Sequence, residues 1–173
     1  MKNKVKYFFS DVDGVWNNDC YYYQEDGKQL RKFSTKDSAG LLLLKAANIQ
    51  LIILSGDDSD STKSRFKDLG IDGFYGIKNK GAFLQKWILS KNLSITEIAY
   101  IGNDINDVSV FKMVQLSYAP NDTNDYVRKF VSIIFDQHPK PGNGFFRFIV
   151  EKYLSSLGIL DDCYSKIIND TNN

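Results

Sequence analysis

The chain has 173 residues, 43% hydrophobic and 25% charged, ordinary usage for one globular domain large enough to bury its own core. Its 22 basic and 21 acidic residues leave a formal net charge of +1, which excludes the broad positive field of a nucleic-acid or anionic-membrane binder. Two cysteines, Cys20 and Cys163, are too few for a disulfide framework, and no run reaches the roughly 20 apolar residues of a membrane span. Without a signal-peptide pattern after Lys2, a soluble cytoplasmic protein is expected.

The first strand is predicted over 5–9, Val-Lys-Tyr-Phe-Phe. Strand-like runs at Cys20-Tyr21-Tyr22-Tyr23 and 29–33 then flank Glu25-Asp26-Gly27, and Asp-Gly between such runs signals a hairpin, so residues 16–33 read as a β-hairpin insertion. Helices are predicted near 37–48, 58–69 (with Gly70 as stop), 80–91, 106–114 and 122–130, alternating with strands at 50–54, 98–101 and 132–135. Short continuous apolar runs between helices read as buried parallel strands. The fold class is therefore α/β, a Rossmann-like three-layer sandwich with a central parallel sheet and a hairpin after the first strand. One domain is expected over 1–173, with a polar tail at 169–173 free to fray.

In such sheets the carboxyl ends of the strands form the ligand crevice. The first strand ends in Ser10-Asp11-Val12-Asp13-Gly14-Val15, where two carboxylates one residue apart repel unless a cation joins them. Magnesium, a hard cation that takes oxygen ligands and shares its site with phosphate, resolves that repulsion, and Asp11 could then attack phosphorus as an ionised nucleophile. Read alone, the pair could equally cap a turn. The second strand delivers Leu54-Ser55-Gly56-Asp57, a hydroxyl at a helix start, which is a phosphate setting or merely an N-cap. Lys80 opens the next helix, where a cation opposes the helix dipole unless an anion is near. The fourth cluster, Gly102-Asn103-Asp104-Ile105-Asn106-Asp107, is rich in oxygen donors suited to a divalent cation. Four such clusters at successive strand ends, in an order that builds a phosphate site, favour function over four coincidental caps.

These motifs, all four in order, resemble those of the haloacid dehalogenase superfamily. Short length, the hairpin and the lack of a cap domain are similar to its branch of 3-deoxy-D-manno-octulosonate 8-phosphate and nonulosonate 9-phosphate phosphatases. The resemblance implies a phosphatase in which Asp11 forms an aspartyl phosphate and Asp13 protonates the leaving oxygen and then activates water. It further implies that Ser55 and Lys80 hold phosphoryl oxygens, and that Mg2+ is held by Asp11, the Asp13 backbone carbonyl and Asn103, with Asp107 in support. Ser34, Thr35, Lys36, Asp37 and Ser38 resemble the substrate segment, with Asp57, Arg65 and Arg147 as further substrate contacts. The partners implied are a small sugar phosphate and three further copies of the chain, in a homotetramer whose hairpins close neighbouring sites.

The sequence departs from that pattern in places. Asn103 stands where Asp is frequent, so either its amide oxygen or Asp104 could meet the metal. Lys36, Leu42 and Asp57 stand where octulosonate phosphatases tend to carry arginine, which favours a nine-carbon acid as substrate. Rival readings are a phosphotransferase of the same superfamily, a receiver-like regulatory domain, and a degenerate domain with an oligomerisation or regulatory role beside a nucleotide-sugar synthesis partner. His138, the only histidine, cannot form a metal cluster alone and is expected to make only loop contacts.

Overall fold

The structure is a computed structural model that describes residues 5–171. Six strands form one parallel sheet: β1 (Tyr7–Ser10), β4 (Gln50–Leu54), β5 (Asp72–Phe74), β6 (Ile98–Ile101), β7 (Leu116–Ala119) and β8 (Ile133–Ile134), in the order β5-β4-β1-β6-β7-β8. The order reverses at β1, which pairs with β4 through Tyr7–Gln50 and with β6 through Tyr7–Ile98. The carboxyl end of β1 is therefore the switch point where open α/β sheets bind ligands, and Asp11 is the residue that leaves it.

Strand alternation decides which side chain meets which layer. Phe8 packs with α1 (Thr35–Ala46), α6 (Phe145–Ser156) and α7 (Leu160–Thr171) on one side of the sheet. Phe9 packs with α3 (Lys80–Ser90), α4 (Val108–Phe111) and α5 (Asp125–Arg128) on the other. The helix α2 (Asp60–Asp68) adds Phe66 to the first side. Three layers with two cores are the predicted sandwich.

Several elements differ from the sequence prediction. Strand β5 has three residues including Gly73, and β7 holds a fully buried Ser117 whose hydroxyl bonds Ser132; neither carries the apolar run that marks a buried strand. The tail expected to fray is the last turn of α7 as far as Thr171; residues 172–173 lie outside the described part. Helix α6 buries Phe145, Phe146, Ile149, Val150 and Leu154, where no helix is among the predicted elements. The helix predicted over 106–114 is a 3₁₀ turn, Ile105–Asp107, followed by the single turn of α4.

The hairpin is shorter than its predicted span. Its strands β2 (Tyr21–Tyr23) and β3 (Gln29–Arg31) pair antiparallel around a turn with Gly27 at φ +80°, but Trp16 belongs to the core. Trp16 is 1% exposed, stacks on Phe146 at 4.2 Å between ring centroids and donates its Nε1–H to Ser10 Oγ at 3.0 Å. An aromatic ring of that size buries too much apolar surface to remain in an exposed ribbon.

Candidate active site

The loop after β1 is shaped by close packing against the loop after β6. The Asp11 N–H donates to Ile101 O at 2.8 Å. Gly14 turns the chain at φ +71°, and a Cβ there would fall 1.8 Å from Asn103 Nδ2, so only glycine fits both the left-handed backbone and the approach. Asp11 is 4% exposed, while Asp13 reaches further out. Asp13 Oδ1 accepts from Asn17 Nδ2 at 2.6 Å and from Arg31 Nε at 3.4 Å.

Beneath Asp11 lies a buried chain of charge. Lys80, wholly buried, places Nζ 2.7 Å from Asp11 Oδ2 and 2.7 Å from Asp107 Oδ1. Tyr100 donates its hydroxyl to the same Asp107 oxygen at 2.5 Å, and the N–H groups of Asn103 and Asp104 donate to Asp107 Oδ2 at 2.9 and 3.2 Å. Two carboxylates share one ammonium, so the charge does not balance. Burial, and then the nearby Asp107, push the Asp11 carboxyl up to about 7, against the opposing pull of Lys80. Burial alone would lower Lys80, but its two carboxylate partners outweigh it and keep the ammonium charged. This pairing explains a lysine at the start of α3: its anions are the two aspartates.

Above this floor opens a pocket of about 270 Å³ lined by Asp11, Asp13, Ser55, Asp57, Lys78 and Asn103, among others. Ser55, 1% exposed at the end of β4, accepts the Asp57 N–H at 3.1 Å. A neighbouring cavity of about 480 Å³, reached past Asp19, Asn103 and Asp104, extends to Thr123 and Lys140. Among the described residues no three His, Cys, Asp or Glu side chains converge as a metal cluster. The donors that line the pocket are hard oxygens, among them the carboxylates of Asp11, Asp13, Asp19 and Asp104 and the amide of Asn103. With the unbalanced negative charge around Asp11, this set fits Mg2+, which needs few protein ligands and keeps its waters.

The family described as haloacid dehalogenase-like hydrolase matches residues 2–149. The chain belongs to that family. It is 31% identical over 155 residues to the 3-deoxy-D-manno-octulosonate 8-phosphate phosphatase KdsC of Haemophilus influenzae, covering 89% of this chain and 85% of that protein. The cobalt-bound structure of the Haemophilus influenzae phosphatase superposes with a TM-score of 0.83 at 30% identity, over 91% of this chain and 92% of that one. The corresponding phosphatase of Moraxella catarrhalis, solved with magnesium, phosphate and KDO, gives 0.86 at 26% identity, over 94% and 92%.

Within this haloacid dehalogenase-like frame, the residues expected to contact substrate separate into two groups. Asp57 lines the pocket. Ser34 caps α1 by accepting the Lys36 N–H, Thr35 is exposed in its first turn, and Lys36 Nζ reaches Asn143 Oδ1 at 3.1 Å. Asp37, expected to touch substrate, is fully buried and caps α6 instead, accepting the N–H groups of Gly144, Phe146 and Arg147 at 3.1, 2.9 and 3.4 Å; its carboxylate meets the positive helix end. Ser38 accepts from Arg65 Nη2 at 2.9 Å, and Arg147 is taken up by Glu151 and Tyr164. His138 stays in its loop as expected, accepting the Asn121 N–H at 2.8 Å.

The structure also brings in residues that no motif marked. Arg31, in the hairpin, and Tyr100, inside β6, both grip aspartates of the site. Lys78 places its ammonium on Gly56 O at 2.8 Å at the pocket wall. Arg31 lies within a polar ribbon whose alternation carries no sign of burial, and Tyr100 looks like any core aromatic. Only the partner carboxylate reveals either.

Proposed function

We propose that this haloacid dehalogenase-like protein is a Mg2+-dependent phosphomonoesterase acting on a phosphorylated 3-deoxy-2-ulosonate, an eight- or nine-carbon sugar acid. The observation that carries this reading is the buried Asp11–Lys80–Asp107 chain at the floor of an oxygen-lined pocket, with a second carboxylate, Asp13, two residues on and free of Lys80. The family, the named activity of the Haemophilus relative and the KDO and magnesium of the Moraxella structure support the substrate and the metal.

In this reading Asp11, held by Lys80 and the Val12 N–H, attacks phosphorus. The P–O bond to the sugar breaks, and Asp13 gives its proton to the departing oxygen. Asp13 then takes a proton from water as that water attacks the aspartyl phosphate, which regenerates Asp11 and releases phosphate. Ser55 Oγ faces a phosphoryl oxygen, whereas the buried ammonium of Lys80, expected there too, is taken up by Asp11 and Asp107 and steadies the nucleophile from below. Asp11, the Asp13 carbonyl and the Asn103 amide oxygen would hold Mg2+, which would supply charge neutralisation at the transferring group.

The neighbouring 480 Å³ cavity gives the sugar room beside the phosphoryl pocket. The hairpin, with Tyr22 and Tyr23 exposed at 68% and 67% and Leu30 at 51%, supports association into a homotetramer. Light scattering on the purified protein tests that state, and a monomer at working concentration refutes it.

Turnover with Mg2+ on octulosonate 8-phosphate and nonulosonate 9-phosphate, against Asp11→Asn and Asp13→Asn, tests the function. Both variants should lose activity, and the ratio of kcat/KM values assigns the chain length. No Mg2+-dependent turnover by the wild type on any sugar phosphate would refute the hydrolase reading.

A further inference from the structure

Arg31 carries the most heavily committed guanidinium in the described structure. Its side chain is 2% exposed although it comes from a hairpin whose tyrosines lie open. Nε points at Asp13 Oδ1 (3.4 Å), Nη2 at Asp57 Oδ1 (3.1 Å), and Nη1 donates to Ser59 Oγ (2.6 Å) and Ser61 Oγ (3.0 Å). The Tyr21 ring covers the ion at 4.8 Å, and Tyr21 itself lines the phosphoryl pocket. All three nitrogens have protein partners and the side chain is buried, so at most one of the five N–H donors is left over. The main effect of Arg31 passes through its partners.

Two of those partners matter to the reaction. Asp57 is braced from its other oxygen by Ser59 and Thr62 Oγ1, so it is a rigid anchor at the start of α2. Asp13 is held through one oxygen only: Asn17 and Arg31 both bind Oδ1. Oδ2 is the oxygen left to carry a proton toward the pocket. Two donors on one oxygen fix the carboxylate plane, and the anchor at Asp57 fixes the donor.

We propose that Arg31 is a positioning residue: it ties the hairpin of the same chain to the start of α2 and aims Asp13 Oδ2 at the leaving oxygen. This rests on the reading of Asp13 as the proton carrier, and it adds that the hairpin takes part in its own chain's site rather than only in a neighbour's. Proton delivery from an aimed carboxyl contributes about 10²–10⁴-fold when the leaving oxygen is a poor one. An aryl oxide such as p-nitrophenolate departs without that proton, so the two ester classes report separately on Asp13.

The test compares kcat/KM, which reports phosphoryl transfer to Asp11, for an alkyl sugar-acid phosphate and for p-nitrophenyl phosphate. Arg31→Met should lower it about 10²-fold on the alkyl ester and less than about threefold on the aryl ester. Arg31→Lys, which keeps the buried charge but not the fork, guards against loss of fold and should show the same split in weaker form. In an Asp13→Asn background either substitution should cost less than about twofold further, because residues acting as a unit are not additive. Equal losses on both esters in the folded variants, or a full further loss without Asp13, would overturn the assignment. A wild-type protein inactive on both esters would instead overturn the hydrolase reading, and this inference with it.

Discussion

Replacing Lys80 with methionine puts the buried charge chain to its hardest test. The ammonium is wholly buried and its two carboxylate contacts are both 2.7 Å, so Lys80→Met keeps the volume and leaves Asp11 and Asp107 facing each other without a cation. Breaking a buried ion pair by removing one partner costs about 3–5 kcal/mol, and a chain of this size loses about 2–4 °C of Tm per kcal/mol. Thermal melting without metal should fall by roughly 6–20 °C, and turnover by about 10²-fold or more. The pH dependence carries the sign. Burial and the nearby Asp107 already push the Asp11 carboxyl up to about 7, far above the ordinary carboxylate range, and without Lys80 it rises further. A carboxyl raised on folding binds more protons folded than unfolded, so its penalty is absent below about 4 and complete above the folded value. The variant should be closer to wild type at pH 6 than at pH 8. A Tm within about 2 °C of wild type, or a deficit that grows toward acid, would refute the reasoning.

Mg2+ binding, measured by titration calorimetry, should tighten from pH 6 to pH 8, because Asp11 must lose the proton that burial holds up to about 7; flat affinity across that range would separate Asp11 from the metal. Gly14→Ala places a methyl 1.8 Å from Asn103 Nδ2 on a backbone at φ +71°, so it should weaken Mg2+ binding at least about tenfold and destabilise by about 1–3 kcal/mol. Asp37→Ala strips three N–H groups at the start of α6 of their acceptor, with an expected loss of about 1–3 kcal/mol in urea denaturation and little change in KM. A large KM effect at unchanged stability would return Asp37 to the substrate.

The parts of this protein that the sequence disclosed share a physical reason. Strands β1, β4 and β6 are buried on both faces and show it as unbroken apolar runs, while Asp11, Asp13, Ser55 and Asn103 follow directly from their ends. What stayed hidden depends on partners distant in the chain. Ser117 can sit in a central strand only because Ser132 satisfies it. Trp16 leaves the hairpin only because Phe146, far along the chain, offers it a face. Asp37 looks like a substrate ligand within its own segment and becomes a helix cap once α6 arrives above it. Arg31 has no local mark at all, since its four partners lie in two segments, Asp13 after β1 and Asp57, Ser59 and Ser61 at the start of α2.

The same arrangement occurs twice around the phosphoryl pocket. At the floor, Asp11 and Asp107 share Lys80; at the wall, Asp13 and Asp57 share Arg31. Each group buries one cation between two carboxylates, so whenever both carboxylates are ionised one negative charge is left over, which disfavours an incoming dianion. Yet the two groups divide their work. Lys80 keeps one face of Asp11, the proposed nucleophile, in place, with its other partner, Asp107, fixed by Tyr100 and two backbone N–H groups. Arg31 leaves Asp13 only half bound, which suits the role proposed for it, since a carboxyl that gives and then takes a proton needs one oxygen free. The excess negative charge that both leave behind is what a divalent cation corrects, so in this fold metal and phosphate should bind as a pair. A pocket built with balanced charge would bind phosphate without metal but would hold Asp11 too well paired to attack.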